Sequence, residues 1–509
     1  MIITKFLFKE YGVFPKLAWW HENDEDVYYS VLEKIYADVE YKVDCLEFES
    51  IVLTLFDKAD IVKPPTIDWE EGWEGRYASQ SLENVKKKYK VLNQHSFLHD
   101  GLFGGCDLLI LNDEGKYDLC EVKSKSNIRK ERKNKTAGPL LPELAADLGF
   151  QAYVLSHALG DKFSGKSFIY YVNKEYIEKG DRDWAQLTKK EEVTSEIMPP
   201  EEVIAICHRM QSEIGLSQKE FDKIHPFTGT KYFEHFGEEP VPGSIWRIPN
   251  INSRLIDMYH QGLQMIVDMS PADIELLTDK QRRFVKNWQR GQTVIDRDAI
   301  REKLASLERP LYFYDYETIS CPIPILENTH GNQLVVVQYS LHIMDENDVI
   351  TAHHEYMLKS DRDYKSVIAH LLSHIDTKKG TFIVWYQHFE NTRNKEMAAM
   401  FPEYAERLLD MNARTFDLMD IFRDQLYFDR DFNGYTSIKK VLPVLTDLSY
   451  DGLEVSNGQE ASYILLQKIN LCVTLESGEE WQRDLLEYCK MDTLAMVRIY
   501  ERLVREVNG

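Results

Sequence analysis

LYFYDYET, Leu311 to Thr318, is the stretch that decides how this chain is read. Its aromatic and aliphatic residues predict a strand. Strand side chains repeat with period two, so Asp315 and Glu317 leave the same face. A third acidic position, Glu390, lies in TFIVWYQHFENTR, just past another apolar run. A fourth, Asp492, lies in LLEYCKMDTLAMVRIY, a helical pattern with Tyr488 four residues earlier on the same face. Carboxylates so spaced can hold two divalent ions, which activate water and stabilise an attacked phosphate and its leaving oxygen. Oxygen ligands favour Mg²⁺ or Mn²⁺. Without metal, such carboxylates repel and at least one titrates high.

The rest of the chain sets limits. Its 509 residues exceed one core, and 43% hydrophobic residues are ample for two. A formal net charge of -23 argues against a general duplex coat protein, which needs a positive surface. Cysteines stand at 45, 106, 120, 207, 321, 478 and 489, an odd number with no CxxC pair. Together with no apolar leader and no charge-free stretch long enough to span a bilayer, this predicts a cytoplasmic protein with buried thiols and no membrane partner.

An α/β protein of two domains is expected: residues 1–235, a mainly helical connector over 236–308, and residues 309–509. In the first, CDLLILN and YDLCEVKS flank an acidic, glycine-containing turn, a hairpin signal. LLPELAADLGFQAYVLSHAL follows as a helix and SFIYYVN as a strand, while Ile51–Asp57 fits a short strand or a helix turn. In the last, LYFYDYE, NQLVVVQYSLHIM, ITAHHEYML and TFIVWYQ predict strands of a mixed sheet. YKSVIAHLLSHI, RNKEMAAMFPEYAERLLD, TFDLMDIFRDQL, SIKKVLPVL and the terminal segment predict helices.

The C-terminal motifs resemble the ribonuclease-H-like DEDD exonucleases. Asp315-Tyr316-Glu317 matches that family's first motif, and Glu390 stands where the family normally has Asp. Tyr488 and Asp492 match the last motif of the tyrosine subclass. The resemblance also implies a further Asp, best matched by Asp417 in TFDLMD, with Asp420 the other candidate. It implies that Asp315 bridges two metals and Glu317 holds the water-activating one. Asp417 or Glu390 then serves the leaving-group side, Asp492 completes the site, and Tyr488 orients the attacking water. A lone Asp-x-Glu on a strand is common, and an Asp on a terminal helix is usually a surface residue; the ordered set carries the reading.

The N-terminal half resembles the PD-(D/E)xK nucleases, particularly their RecB-like and Cas4-like branch. Asp107 in GGCDLLI and Glu121-Val122-Lys123 in DLCEVKS match the acidic and lysine motif, and period two puts Glu121 and Lys123 on one face. Gln151 and Tyr153 fall where the branch has its helix motif, and His95 or His99 fits its upstream histidine. The resemblance implies Mg²⁺ or Mn²⁺ on Asp107 and Glu121, with Lys123 steadying the nucleophile. The branch often carries a four-cysteine iron–sulfur cluster. Only Cys207 follows this core before the second domain, so no iron–sulfur cluster is expected. Packing of Phe14, Leu17 and Trp20 against Phe227, Tyr232 and Phe236 is expected to do that work. The run from Lys123 to Lys135 reads as a strand-guiding basic lip or a solvated loop. Trp19, Trp20, Trp69 and Trp73 are core residues or base-stacking platforms.

The pairing of the two regions resembles the family known as domain of unknown function 2779. The reading that follows is a metal-dependent nuclease with catalytic residues Asp315, Glu317, Glu390, Asp417, Tyr488, Asp492, Asp107, Glu121, Lys123 and Gln151. Its expected partner is DNA or RNA, single-stranded or with free ends. The expected work is 3′-to-5′ removal at one centre and a second cut at the other, in repair or defence. The alternative is a catalytically decayed nucleic-acid-binding or regulatory protein.

Overall fold

The computed structural model describes residues 2–37, 42–67, 70, 72–131, 138–180, 182–225, 240–358, 363–376, 378–455, 457–470 and 479–509. It is a mixed α/β chain that divides into two compact units. The first holds Met1–Glu238 and Cys321–Asn332, the second Glu239–Ser320 and Gln333–Gly509. No helix among the described residues is long and apolar enough to cross a membrane.

The first unit is built on strands β1 (Ile3–Thr4), β2 (Ile61–Val62), β3 (Val91–His99), β4 (Leu102–Leu111), β5 (Tyr117–Lys123), β6 (Phe163–Val172) and β7 (Thr188–Glu192). The sheet order is β2-β3-β4-β5-β6-β7, and β1 pairs with the start of β4. The expected hairpin is β4–β5, antiparallel in the register Leu108↔Cys120. Its turn is set by Asn112, whose side-chain oxygen accepts from Glu114 N and Lys116 N, and by Gly115 at φ +74°. The expected helix is Pro142–Leu159, which buries Leu148, Phe150, Val154 and Leu155 in the unit's core. Ile51 lies in a helix, Lys42–Leu53, which decides the case the pattern left open.

Close packing of Pro142–Leu159 depends on Gly149. A Cβ there would sit 2.6 Å from Met198 O and 2.7 Å from Met198 Cβ. The backbone is further tied by Met198 N donating to Ala145 O at 2.9 Å. Gly149→Ala is therefore expected to destabilise the protein by about 1–3 kcal/mol, the usual cost of overpacking. Urea denaturation checks this, and an unchanged midpoint would count against the close approach.

In the second unit the residues expected as a connector do not stand alone. Helices Ser253–His260 and Asp279–Arg290 share a core containing Ile245, Leu255, Phe284, Trp288 and, from far along the chain, Phe428. Strand β8 (Val294–Ile295) is the other tie, since it pairs with the strand that contains Phe428. The main sheet comprises β9 (Leu311–Ile319), β10 (Val335–Met344), β11 (Ile350–Met357), β12 (Thr381–Val384) and β13 (Thr415–Asp417), in the order β11-β10-β9-β12-β13. β9, β10 and β11 are antiparallel neighbours, whereas β12 runs parallel to β9 and β13. β14 (Tyr427–Phe428) is the partner of β8.

Two local expectations change. TFDLMDIFRDQL is not one helix: Thr415–Asp417 is β13, held by parallel pairing to β12, and only Asp420–Arg423 is helical. Sheet pairing overrides the local pattern there. TFIVWYQ is a strand only to Val384, because Tyr386 adopts φ +84° and a helix starts at Gln387. The excursion Cys321–Asn332, between β9 and β10, belongs to the first unit. There Asn328 N donates to Glu178 O at 2.8 Å and Asn332 Nδ2 to Ser124 O at 2.8 Å.

Candidate active centres

In the second unit, β9 and the terminal helix Glu480–Asn508 build the centre. The helix buries Leu485, Tyr488, Cys489, Asp492 and Met496, a stripe at three- and four-residue spacing. Polar Tyr488 and Asp492 therefore face inward with the apolar residues. Ligand atoms of Asp315, Glu317 and Cys489 lie within 4.8 Å of one another. Burial pushes the Cys489 thiol well above its ordinary range, which favours the thiol over the thiolate and leaves the carboxylate oxygens as the better candidate ligands.

The carboxylates strain against one another. Burial first, then the charge of Asp492, raises Asp315 well above the usual carboxylate range. Burial, then Asp315 and Asp492, does the same to Glu317. Glu390, on the first turn of the helix Gln387–Met400, is 2% exposed and raised by burial and by Asp315. Its Oε2 is buried without a hydrogen-bond partner. Asp492 is pushed up to about 6 by burial, held back by hydrogen bonds from Tyr450 and Tyr488 and by the charge of Lys439.

Asp417 does something else. Its Oδ1 accepts from Tyr386 N at 3.0 Å and Met419 N at 3.1 Å, and its Oδ2 from Gln387 N at 3.1 Å. Arg423 Nη2 stands 3.5 Å from Oδ2. A carboxylate so engaged holds the helix N-terminus that carries Glu390, through the left-handed Tyr386 backbone, and is a poor open ligand. Asp420 is ion-paired to Arg423.

Two neighbours escaped the sequence reading. Tyr450 donates to Asp492 Oδ1 at 2.5 Å. Lys439 Nζ lies 5.1 Å from the Tyr450 ring centre and 4.9 Å from that of Tyr488. Burial lowers the Lys439 pKa against the opposing pull of Asp492 and Glu317. Tyr450 and Tyr488 are both raised, first by burial and then by Asp492, so both remain protonated donors. Lys439 sits in SIKKVLPVL, where only the apolar stripe gave a signal.

The first unit gathers Asp107 from β4, Glu121 and Lys123 from β5, and Gln151 from the helix Pro142–Leu159. It adds Asp147 from that helix and Lys5 and Lys9 from the helix Lys5–Val13. Glu121 Oε1 faces Lys123 Nζ at 2.6 Å and Lys5 Nζ at 3.5 Å. Gln151 Nε2 donates to Glu121 Oε2 at 2.9 Å and to Asp147 Oδ1 at 2.8 Å. Asp107 Oδ2 accepts from Val122 N at 2.8 Å. Burial and the Glu121 charge push Asp107 up to about 7. Burial alone would raise Asp147, but Lys5, Lys123 and Lys9 together hold it far below the usual range. Burial would likewise lower Lys5 and Lys123, yet Glu121 and Asp147 keep both raised.

Other expected residues lie elsewhere. His95 is buried, 3.0 Å from Asn84 Nδ2 and 2.8 Å from Asn93 O. His99 stacks on His157 at 4.4 Å. Trp19 and Trp20 are core residues, and Trp73 packs edge-on to Phe103. Arg129, in the basic run, is held by Glu191 and Glu196. Lys135 with the end of that run, Trp69, Phe227, Tyr232 and Phe236 lie outside the described residues. Within them, Leu17 and Phe221 share the core, and Trp19 meets Phe221 at 6.0 Å.

A pH dependence follows from Asp492 and Asp107. Folded, each keeps a proton that the unfolded chain releases near pH 4. Metal-free protein is therefore expected to lose stability as pH climbs from about 4 to 6–7 through these two groups, with further loss at higher pH as Asp315, Glu317 and Glu390, raised well above the usual range, give up their protons. The share of Asp492 is about 3 kcal/mol at most. Melting in chelator between pH 4 and 8 checks it; Asp492→Asn should flatten the slope, and an equally steep variant would exclude Asp492 as its source.

No solved structure matches the chain. It is 26% identical over 250 residues to "uncharacterized protein MG366" of Mycoplasma genitalium, covering 45% of this chain and 37% of that protein. A homologue in Mycoplasma pneumoniae is 27% identical over 244 residues, 42% of this chain and 35% of the relative. The chain thus spans little more than a third of the length of these curated relatives. Residues 312–437, which include Asp315, Glu317, Glu390 and Asp417, match the family model described as "Domain of unknown function (DUF2779)".

Proposed function

We propose that this chain is a metal-dependent nuclease that works on the ends of nucleic acid through the centre at Asp315, Glu317, Glu390 and Asp492. The observation that carries this is Glu390 Oε2, buried with no hydrogen-bond partner, on a carboxyl raised by its burial and by the neighbouring Asp315 charge. Leaving such a group unpaired costs about 1–3 kcal/mol or more, so a cation is the partner that suits it. Asp315, Glu317, Glu390 and Asp492 would hold Mg²⁺ or Mn²⁺, which supplies charge neutralisation of the phosphate and a more acidic water. Tyr488 keeps its proton and can donate to a water or to a phosphate oxygen. Tyr450 fixes one oxygen of Asp492, and Lys439 adds positive charge beside the same pair. Asp417 keeps Glu390 in place from behind.

The assay is end-labelled single-stranded DNA and RNA with Mg²⁺ or Mn²⁺, beside the same strands in chelator. DNA shortened from its 3′ end, with circular single strands left intact, is the expected result. Tight binding of strands without metal-dependent cutting would favour the second reading, a decayed binding or regulatory protein in repair or defence. That reading draws on one observation: the resemblance implied a metal on Asp107 and Glu121 of the first unit, yet lysines already neutralise that centre.

A further inference from the structure

Two acidic centres in one chain differ in who supplies the positive charge. Around Asp315 the carboxylates crowd together and one oxygen has no donor. Around Glu121 every carboxylate oxygen of the inner pair is taken. Glu121 Oε1 meets Lys123 Nζ at 2.6 Å and Lys5 Nζ at 3.5 Å; Oε2 meets Gln151 Nε2 at 2.9 Å. Asp147 Oδ1 meets Gln151 Nε2 at 2.8 Å and Lys5 Nζ at 3.6 Å; Oδ2 meets Lys9 Nζ at 3.1 Å and Lys123 Nζ at 3.5 Å. Three ammonium groups stand against the carboxylates Asp107, Glu121 and Asp147. Glu121 and Asp147 side chains are 2% and 1% exposed, so these contacts are shielded from water. The buried acceptor left over is the neutral amide oxygen Gln151 Oε1, a weaker call on a cation than a carboxylate.

We propose that the first centre is a metal-free ionic cluster in which the Lys5 ammonium occupies the place between Glu121 and Asp147 that a divalent ion would otherwise take. The ammonium bridges the two carboxylates from strand and helix, as an ion would. It arrives on a separate element, the helix Lys5–Val13, whose Leu7, Phe8 and Tyr11 are buried in the core. An incoming ion must therefore displace a cation that packing keeps in position. Charge balance adds to the barrier, because a divalent ion beside three lysines leaves the cluster strongly positive.

The test is Mn²⁺ uptake by the full chain after chelator treatment, read by electron paramagnetic resonance of the free ion. Wild type and Asp107→Asn should bind the same number of ions. Loss of an ion in Asp107→Asn would overturn the proposal, and this comparison stands whether or not Lys5 variants fold. Lys5→Met, or Lys5→Gln if the methionine variant misfolds, should gain uptake that Asp107→Asn then removes. A folded Lys5 variant that gains none would refute the place given to Lys5. Uptake lost in Asp315→Asn reports on the other centre alone, so failure of the nuclease reading and of this proposal are separately visible.

Discussion

Asp315→Asn is expected to lower metal-dependent nuclease turnover by about three orders of magnitude or more. A loss of several kcal/mol of transition-state stabilisation corresponds to that factor. Asp315 stands at the middle of the charge cluster: it raises Glu317 and Glu390 and is itself raised by Asp492. Asparagine preserves the shape and removes the charge. The same variant should melt higher than wild type in chelator, since one of the mutually repelling groups is gone. A merely structural Asp315 would give the opposite pair, with cutting retained and stability lowered. Parental cutting rates in Mg²⁺ would remove Asp315 from the chemistry altogether.

Much of this centre was legible because strand and helix periodicities are rigid. Asp315 and Glu317 share a face of β9 by period two, and Tyr488 and Asp492 share the buried stripe of the terminal helix. What periodicity cannot supply is the third dimension. Tyr450 lies between elements in a stretch with no strong pattern, and its partner Asp492 is 42 residues away. Lys439 looks like any charged residue on an amphipathic helix until Tyr450 and Tyr488 close over it. Asp417 shows the converse. Its place in the chain matches a ligand motif, but three backbone N–H groups converge on it. Only tertiary structure reveals which donors reach a carboxylate.

The first unit repeats the lesson with the opposite sign. The resemblance to the PD-(D/E)xK nucleases pointed to Asp107, Glu121, Lys123 and Gln151, and period two put Glu121 and Lys123 on one face; the four residues lie together in the structure. Asp147 was within reach, being four residues before Gln151 on the same helix face. Nothing in LLPELAADLGF sets it apart, because the stretch reads as an ordinary amphipathic helix start. Lys5 and Lys9 had no chance of being found. They lie more than a hundred residues before Glu121, and four-residue spacing of lysines near an N-terminus suggests only a solvated face. The chemistry of the centre, three lysines against its carboxylates, was therefore hidden although most of its named residues were not.

Asp147→Ala should be the most damaging substitution in the first unit. It removes the one group that Lys5, Lys9 and Lys123 all face. Breaking a buried ion pair from one side costs about 3–5 kcal/mol, because the partner charge stays behind uncompensated. Here the lysine side chains are 25%, 35% and 22% exposed and can turn partly toward water, which places the cost near the lower end. Lys9→Met, at the outermost of the three, should cost about 1 kcal/mol or less. Urea denaturation at neutral pH measures both, and an Asp147→Ala midpoint equal to wild type would show that the cluster contributes nothing to the fold. The double variant Lys5→Met with Asp147→Ala separates pairing from packing. If Lys5 is held there by charge, its loss should hurt less once Asp147 is gone, giving a coupling of about 0.5–3 kcal/mol. Strict additivity would mean that the helix Lys5–Val13 is docked by its apolar face alone and that Lys5 only happens to lie near.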